Sequence, residues 1–288
     1  MNNIILSILI PTYNYKKGIY RIFNCIKSIN PKYYESIEVI ICDDSEKEIL
    51  DKNKIIELNS KLRNFHYIKN QNKLGATHNW NKLIKLSRGK YYWLLHHDEY
   101  WDLKNDFIGY LINNILEKNK TLFLLPINKH KNYIIGSLEF IISQKQNSFQ
   151  RLIMQIIKNP YILIFINIFG PPSSIIISNK FKLPYDNSLK FLVDVDLYIR
   201  LLKRIRAKEL YIFETNHTII SCQNNKSSIT KILKVNSKNI KNIEINKLLI
   251  KYKFKKDFFI FIKIICFYLI YKVYSFSSTK IIGFRLRK

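Results

Sequence analysis

The feature that most constrains this chain is an alternation within its first hundred residues. Four short apolar runs, Ile5–Ile10, Ile37–Cys42, Phe65–Ile68 and Tyr91–Leu95, read as strands. Between them the apolar residues recur at helical spacing. Ile19, Ile22, Phe23, Ile26 and Ile29 mark the first such segment, Ile49–Leu62 the second, and Ala76–Leu86 the third, which Arg88-Gly89 stops. Strand and helix in alternation imply βαβ units and a parallel sheet. In open sheets of this kind ligands bind beyond the carboxyl ends of the strands. Three polar clusters, Thr12–Asn14, Asp43–Ser45 and His96–Glu99, stand at those ends. They are expected to converge on one crevice.

Beyond Leu103 the patterning weakens. Phe107–Leu116 reads as a helix, Thr121–Leu125 as a strand, and Ser174–Ser178 as a strand after the turn Gly170-Pro171-Pro172-Ser173. Leu192–Ile205 reads as an amphipathic helix. The chain has 288 residues, 47% of them hydrophobic, which is enough for one large α/β domain with appendages and speaks against wholesale disorder. The four cysteines are scattered without a CxxC pair, and Cys25 and Cys42 lie in apolar stretches, so buried reduced thiols and a reducing, cytoplasmic setting are expected. The N-terminal MNNIILSILIPTYN has no charged region before its apolar run and reads as a first strand, not a signal peptide.

The formal net charge of +27 calls for an anionic partner: nucleic acid, an acidic membrane leaflet or a phosphorylated small substrate. The charge is uneven. From Lys231 to Lys288 there are fifteen Lys and Arg against only Glu244 and Asp257. Within this tail Phe258–Phe276 is apolar and aromatic, with Lys263 and Lys272 interrupting it. That composition suits a basic amphipathic helix lying on an anionic leaflet better than a transmembrane span; a helix packed on the domain with its lysines turned outward is the other reading.

Three acidic groups are candidates for chemistry. Asp43-Asp44 repel one another unless a donor or a metal neutralises them; a turn or helix cap is the simpler reading. His96-His97-Asp98-Glu99 offers hard oxygen ligands of the kind a cation bridging a diphosphate requires, or else a solvated loop. Asp194 and Asp196 open a helix, where a carboxylate either compensates the helix dipole or serves as a general base.

The segments SILIPTYN, VIICDDSE and NKLGATHNWNKLIKLSRGKYYWLLHHDEYW, followed by DVDLYIRL, resemble family 2 glycosyltransferases of the GT-A fold in order and spacing, over roughly residues 5–230. The resemblance implies a Rossmann-like, mostly parallel sheet flanked by helices, with a basic helical C-terminal tail. It divides the chain into a nucleotide-sugar-binding half (1–105), an acceptor and catalytic-base half (106–230) and an extension (231–288). It assigns Pro11, Thr12, Tyr13, Asn14, Asp43, Asp44, Asn79, His96 and His97 to the nucleotide sugar. Asp98 falls on the metal-binding Asp of the DxD motif, with His96 in place of the first Asp. Asp194 falls on the catalytic base of the ED motif, whose Glu is here Val193. Asp196, Arg200 and Glu99 take secondary or acceptor roles. The late segment SCQNNKSSIT lacks the His found in relatives, so no third metal ligand is identified there.

The implied activity is transfer of a sugar from a nucleotide-diphosphate donor to a hydroxyl of a glycan or lipid-linked acceptor, inverting and assisted by Mg2+ or Mn2+. The implied setting is cell-surface polysaccharide or lipooligosaccharide synthesis, peripheral on the inner face of the cytoplasmic membrane. Two rivals stand beside it. A nucleotidyltransferase of related architecture would grip a triphosphate with a Gly-rich basic loop, where this chain has PTYNYKKG. A nucleic-acid-binding protein would place its basic surface, not carboxylates, at the crevice, and no nucleic acid is expected as partner.

Overall fold

The computed structural model describes residues 3–103, 106–129, 158–165, 167, 169–213, 219–221 and 237–253. Four strands, β1 (Leu6–Thr12), β2 (Ile37–Asp43), β3 (Phe65–Lys69) and β4 (Tyr91–Leu94), lie parallel in the order β3-β2-β1-β4. The crossovers are α1 (Lys16–Lys27), α2 (Lys52–Lys61) and α3 (Ala76–Leu86). Each helix falls within a stretch of helical spacing, and each strand on an apolar run. β1 and β2 are buried along their whole length, as strands covered on both faces must be.

Alternation along the strands sorts side chains into two layers. Leu6, Ile8 and Ile10 join Val39 and Ile41 in a core with α1, α2 and α4 (Phe107–Lys118). Leu9, Ile40 and Cys42 face the other way, toward Leu83 and Ile84 of α3. That second layer is completed by α5 (Val193–Leu202) and by Leu248 of α6 (Ser237–Lys251), which is wholly buried. Burying one such leucine contributes about 2 kcal/mol. The acid near the start of β2, Glu38, is paired: Arg88 Nε donates to it at 2.6 Å and the Ser7 hydroxyl at 2.7 Å. This ties the turn into β4 to the amino end of the sheet, opposite the polar clusters.

The later half extends the sheet with mixed directions. β8 (Ile175–Ser178) is antiparallel both to β4 and to β6 (Leu122–Leu124), and β9 (Leu210–Ile212) lies parallel to β6 at the edge. A separate three-stranded sheet joins β5 (Glu99–Trp101), β10 (Ile219–Ser221) and β7 (Ile127–Lys129). This small sheet and β9 were not legible in the sequence. Three-residue strands carry too few alternations to register as a pattern. Among the described residues no helix is long and apolar enough to cross a membrane. The aromatic stretch Phe258–Phe276 lies outside them, as do Cys222, Cys266, His130 and His217.

Candidate active site

The carboxyl ends of β1 and β2 meet in register, Thr12 beside Asp43. Both aspartates of the Asp43-Asp44 pair are buried, and their repulsion is offset by six donors. Asp43 accepts from the Ser45 and Ile49 backbone N–H groups at 2.9 and 3.0 Å and from the Tyr67 hydroxyl at 2.5 Å. Asp44 accepts from Asn70 Nδ2 at 2.9 Å and from the Leu74 and Gly75 N–H groups at 2.7 and 2.8 Å. The pair therefore shapes two loops at the rim of the crevice. Asn79, buried on α3, joins the same network: its Oδ1 accepts from Asn70 and its Nδ2 donates to the Cys42 carbonyl. Asn14 takes a left-handed φ of 47° and donates its N–H to the Ser45 hydroxyl. The Tyr13 hydroxyl accepts from Lys73 Nζ at 2.8 Å. Thr12 is buried, and its hydroxyl has no protein partner, which leaves a polar atom for a ligand.

Beyond β4 the chain turns sharply through His96–Glu99, the Glu99 N–H donating to the His96 carbonyl at 3.0 Å. Helix α1 presses on this turn at Gly18, where a Cβ would meet the His97 carbonyl oxygen at 2.0 Å. His97 donates from Nδ1 to the Pro11 carbonyl at 3.2 Å, since a carbonyl can only accept, and packs 5.5 Å from the Tyr15 ring, tilted against it. His96, Asp98 and Glu99 bring one ligand atom each within 4.8 Å of one another. Two of those groups carry orphaned buried atoms, His96 Nε2 and Glu99 Oε2. Burial pushes the His96 imidazole down to about 4, so it is neutral, the form in which a histidine binds a metal. Burial, with Asp98 adding to it, pushes the Glu99 carboxyl up to about 8. An oxygen-rich trio with unpartnered buried atoms fits a hard divalent cation.

Asp194 and Asp196 have opposite environments although two residues apart on α5. Asp194 is half-buried and accepts from Asn167 Nδ2 at 2.8 Å and from the Val195 N–H at 2.9 Å. Burial pushes its carboxyl up to about 6, against the lowering effect of these bonds. Asp196 is fully buried and saturated: Arg200 Nε donates at 2.8 Å, Lys251 Nζ at 2.7 Å and the Tyr252 hydroxyl at 2.6 Å. It and Arg200 are engaged with each other and with the end of α6. Aromatic rings pack beside the acidic turn. Trp80 packs 4.9 Å from the His96 ring and 5.1 Å from Tyr185. Tyr185 and Tyr198 both feel the charge of Asp194, and Tyr198 feels that of Glu99 as well.

A sheet with its polar residues at the carboxyl ends, a metal-competent turn and a carboxylate of raised pKa are common to several enzyme classes; sequence likeness separates them. Residues 7–168, more than half of the chain, match the profile of glycosyl transferase family 2. The chain belongs to this family. Among its relatives, an uncharacterized glycosyltransferase of Rickettsia bellii is 31% identical over 121 residues, which is 41% of this chain and 16% of that protein. The Escherichia coli protein WfaP, a UDP-Glc:alpha-D-GlcNAc-diphosphoundecaprenol beta-1,3-glucosyltransferase, is 35% identical over 99 residues, 34% of this chain and 36% of its own. The matches thus span well under half of either relative. In fold, the chain is similar to residues 1–349 of S. aureus TarS solved with UDP-GlcNAc, with a TM-score of 0.60, 16% identity, and coverage of 79% of this chain and 61% of that one. The GT-A fold expected from the sequence is the fold observed.

The family 2 match ends before α5, so Asp194 and the helices that carry and support it lie outside the matched span, while its partner Asn167 falls at the very end of that span. Several residues around the site escaped the sequence reading: Asn70, Trp80, Asn167, Tyr185 and Glu244. Only Glu244 carried a signal, as the sole acidic residue from Lys231 to Lys256 in a lysine-rich segment. Burial pushes the Cys25 and Cys42 thiols up to about 12 and about 11, so both are unreactive at neutral pH.

Proposed function

We propose that this family 2 protein moves a sugar from a uridine-diphosphate donor to a hydroxyl of a lipid-linked glycan, with inversion at the anomeric carbon. The observation that carries the reading is a pair of acidic groups, the His96–Asp98–Glu99 turn and Asp194, near enough that the buried Tyr198 feels the charge of both Glu99 and Asp194. The choice of uridine and of a lipid-linked acceptor rests on the donor and acceptor in WfaP's name and on the UDP-GlcNAc in the TarS complex.

In this reading the Thr12 hydroxyl and the loops fixed by Asp43 and Asp44 bind the nucleoside. Asp98, with His96 and Glu99, holds a divalent cation. A bound cation neutralises charge that grows on the leaving diphosphate, an effect worth several kcal/mol. Asp194 accepts the proton of the acceptor hydroxyl as its oxygen attacks the anomeric carbon, and the bond from that carbon to the diphosphate oxygen breaks on the opposite face. A carboxyl raised to about 6 is still ionised at neutral pH yet more basic than an ordinary aspartate. Trp80 and Tyr185 exclude water between the two ends. The protein is peripheral on the cytoplasmic leaflet through its basic, aromatic tail, where a lipid-linked acceptor resides.

The test is direct. UDP and GDP are compared for thermal stabilisation with and without Mn2+, and UDP with Mn2+ is expected to stabilise most. The anomeric configuration of the first product is then read by NMR. Retained configuration would overturn the mechanism, and tighter binding of GDP would overturn the choice of donor.

A further inference from the structure

Helix α5 begins without a cap of its own. Its N-cap residue is Leu192, whose side chain has no acceptor. The N–H groups leading into the helix are instead taken up by a residue more than fifty positions away. Glu244, on α6 and only 5% exposed, accepts from the Lys190 N–H at 2.6 Å through Oε1 and from the Phe191 and Leu192 N–H groups at 2.9 and 2.8 Å through Oε2. All three bonds are short and charge-assisted. They end two residues before Asp194. The rest of α6 reinforces the seat: Leu248 is wholly buried in the same layer, and Lys251 and Tyr252 grip Asp196 one turn on.

We propose that Glu244 is a positioning residue for the transfer reaction: α6 anchors in space the backbone that enters α5, and thereby fixes the Asp194 carboxylate on its first turn. The inference rests on the assignment of Asp194 as base. A side chain in the first turn of a helix points where the backbone entering that turn directs it, and here that backbone hangs from one carboxylate. A small displacement of a proton-accepting group lowers turnover steeply without altering donor binding. Glu244 acts on Asp194 electrostatically too. The charged and titratable groups that influence Asp194 are Tyr198, one turn further along α5, Tyr185 and Glu244 of α6; Arg200 and Lys251 are engaged by Asp196. The negative charge of Glu244 adds to the raised pKa of Asp194, while burial dominates it.

The experiment measures kcat, KM and their pH dependence with UDP-glucose and UDP-GlcNAc, hydrolysis of the donor serving where no acceptor is at hand. Wild type is compared with Glu244→Gln, Glu244→Asp, Asp194→Asn and, as a control for general destabilisation, Leu58→Ala on the far side of the sheet. Glu244→Gln removes the charge and one acceptor. Its kcat is expected to fall about tenfold with KM for the donor unchanged, and the acid limb of kcat to move to lower pH, because the repulsion that raised the Asp194 pKa is gone. Glu244→Asp keeps the charge but is one methylene short: the limb stays in place while kcat falls. Leu58→Ala lowers the melting temperature without moving the limb. An unchanged kcat and limb in folded Glu244→Gln, with Asp194→Asn inactive, overturns the positioning role and leaves the base assignment standing. If Glu244→Gln does not fold, a Glu244→Asp variant with wild-type kcat overturns it equally. An active Asp194→Asn overturns both.

Discussion

The two ends of the crevice are built on different principles. At the proposed donor end, Asp43 is held by Ser45, Ile49 and Tyr67, and Asp44 by Asn70, Leu74 and Gly75, all at most 31 residues away in sequence. These contacts arise wherever the parallel sheet itself forms. At the proposed base end, Asp194 depends on Asn167, 27 residues before it, and its helix on Glu244 and Lys251, which reach back over 52 to 55 residues. The donor end is a property of the sheet, whereas the base end depends on an added helix.

The sharpest way to break this contrast is to remove the proposed base. Asp194→Asn keeps the shape of the side chain and its place on α5 but cannot take up a proton at neutral pH. Turnover is expected to fall by roughly 10²–10⁴-fold while donor affinity and melting temperature stay close to wild type. Loss of donor binding in this variant would mean that the two ends are not separable.

The next largest effect tests the donor end's self-sufficiency. Asp44→Ala strips the acceptor from three donors, two of them backbone N–H groups. Each unsatisfied buried donor costs about 1–3 kcal/mol, and because Leu74 is 38% exposed water relieves part of the loss, leaving about 3 kcal/mol in all. Denaturant unfolding measures this. A variant as stable as wild type would show that the rim loops are held by something other than the buried carboxylate.

Asp196→Ala makes the matching test at the other end. It leaves Arg200 and Lys251 without their shared partner, but Lys251 is 35% exposed, so solvent screens the released charge. A loss of about 2 kcal/mol is expected, below the 3–5 kcal/mol typical of fully buried pairs. Turnover per folded molecule should fall far less than in Asp194→Asn. If instead Asp196→Ala abolished turnover in a folded protein, the two aspartates would exchange roles.

The same contrast explains how much could be read from the sequence. β1 to β4, their crossovers and the three polar clusters were legible because each is a local pattern of apolar run, helical spacing and polar stop. Asp43 and Asp44 were read as nucleotide contacts, with a turn as the alternative; their six hydrogen bonds show how much of each carboxylate the fold uses. Glu99 stood out only as part of an acidic string, and its burial between β5 and β10 follows from a three-residue pairing with no pattern to detect. Glu244 looked like one exception in a basic tail. That its carboxylate anchors the backbone entering a helix fifty residues earlier is a fact of tertiary packing, and local propensity carries no trace of it.

The smallest effect expected is also the most discriminating. Asn167 donates from Nδ2 both to Asp194 Oδ2 at 2.8 Å and to the Gly170 carbonyl at 3.0 Å, and its Oδ1 accepts from the Gly170 N–H at 3.1 Å. It thus closes its own loop and favours the ionised form of Asp194. Removing a donor to a carboxylate raises that carboxylate's pKa, since the charged form loses the partner and the neutral form does not. Asn167→Ala is therefore expected to move the acid limb of kcat upward from about 6. One hydrogen bond of about 0.5–1.5 kcal/mol corresponds to roughly half a pH unit to one unit. Well above the limb, turnover should fall little, because Asp194 is then ionised with or without the amide. The sign matters more than the size: loss of Asn167 moves the limb up, and loss of the Glu244 charge moves it down. Both shifts in the same direction would show that the limb reports loosening of the helix instead of the ionisation of Asp194, and the electrostatic reading of the base end would fall.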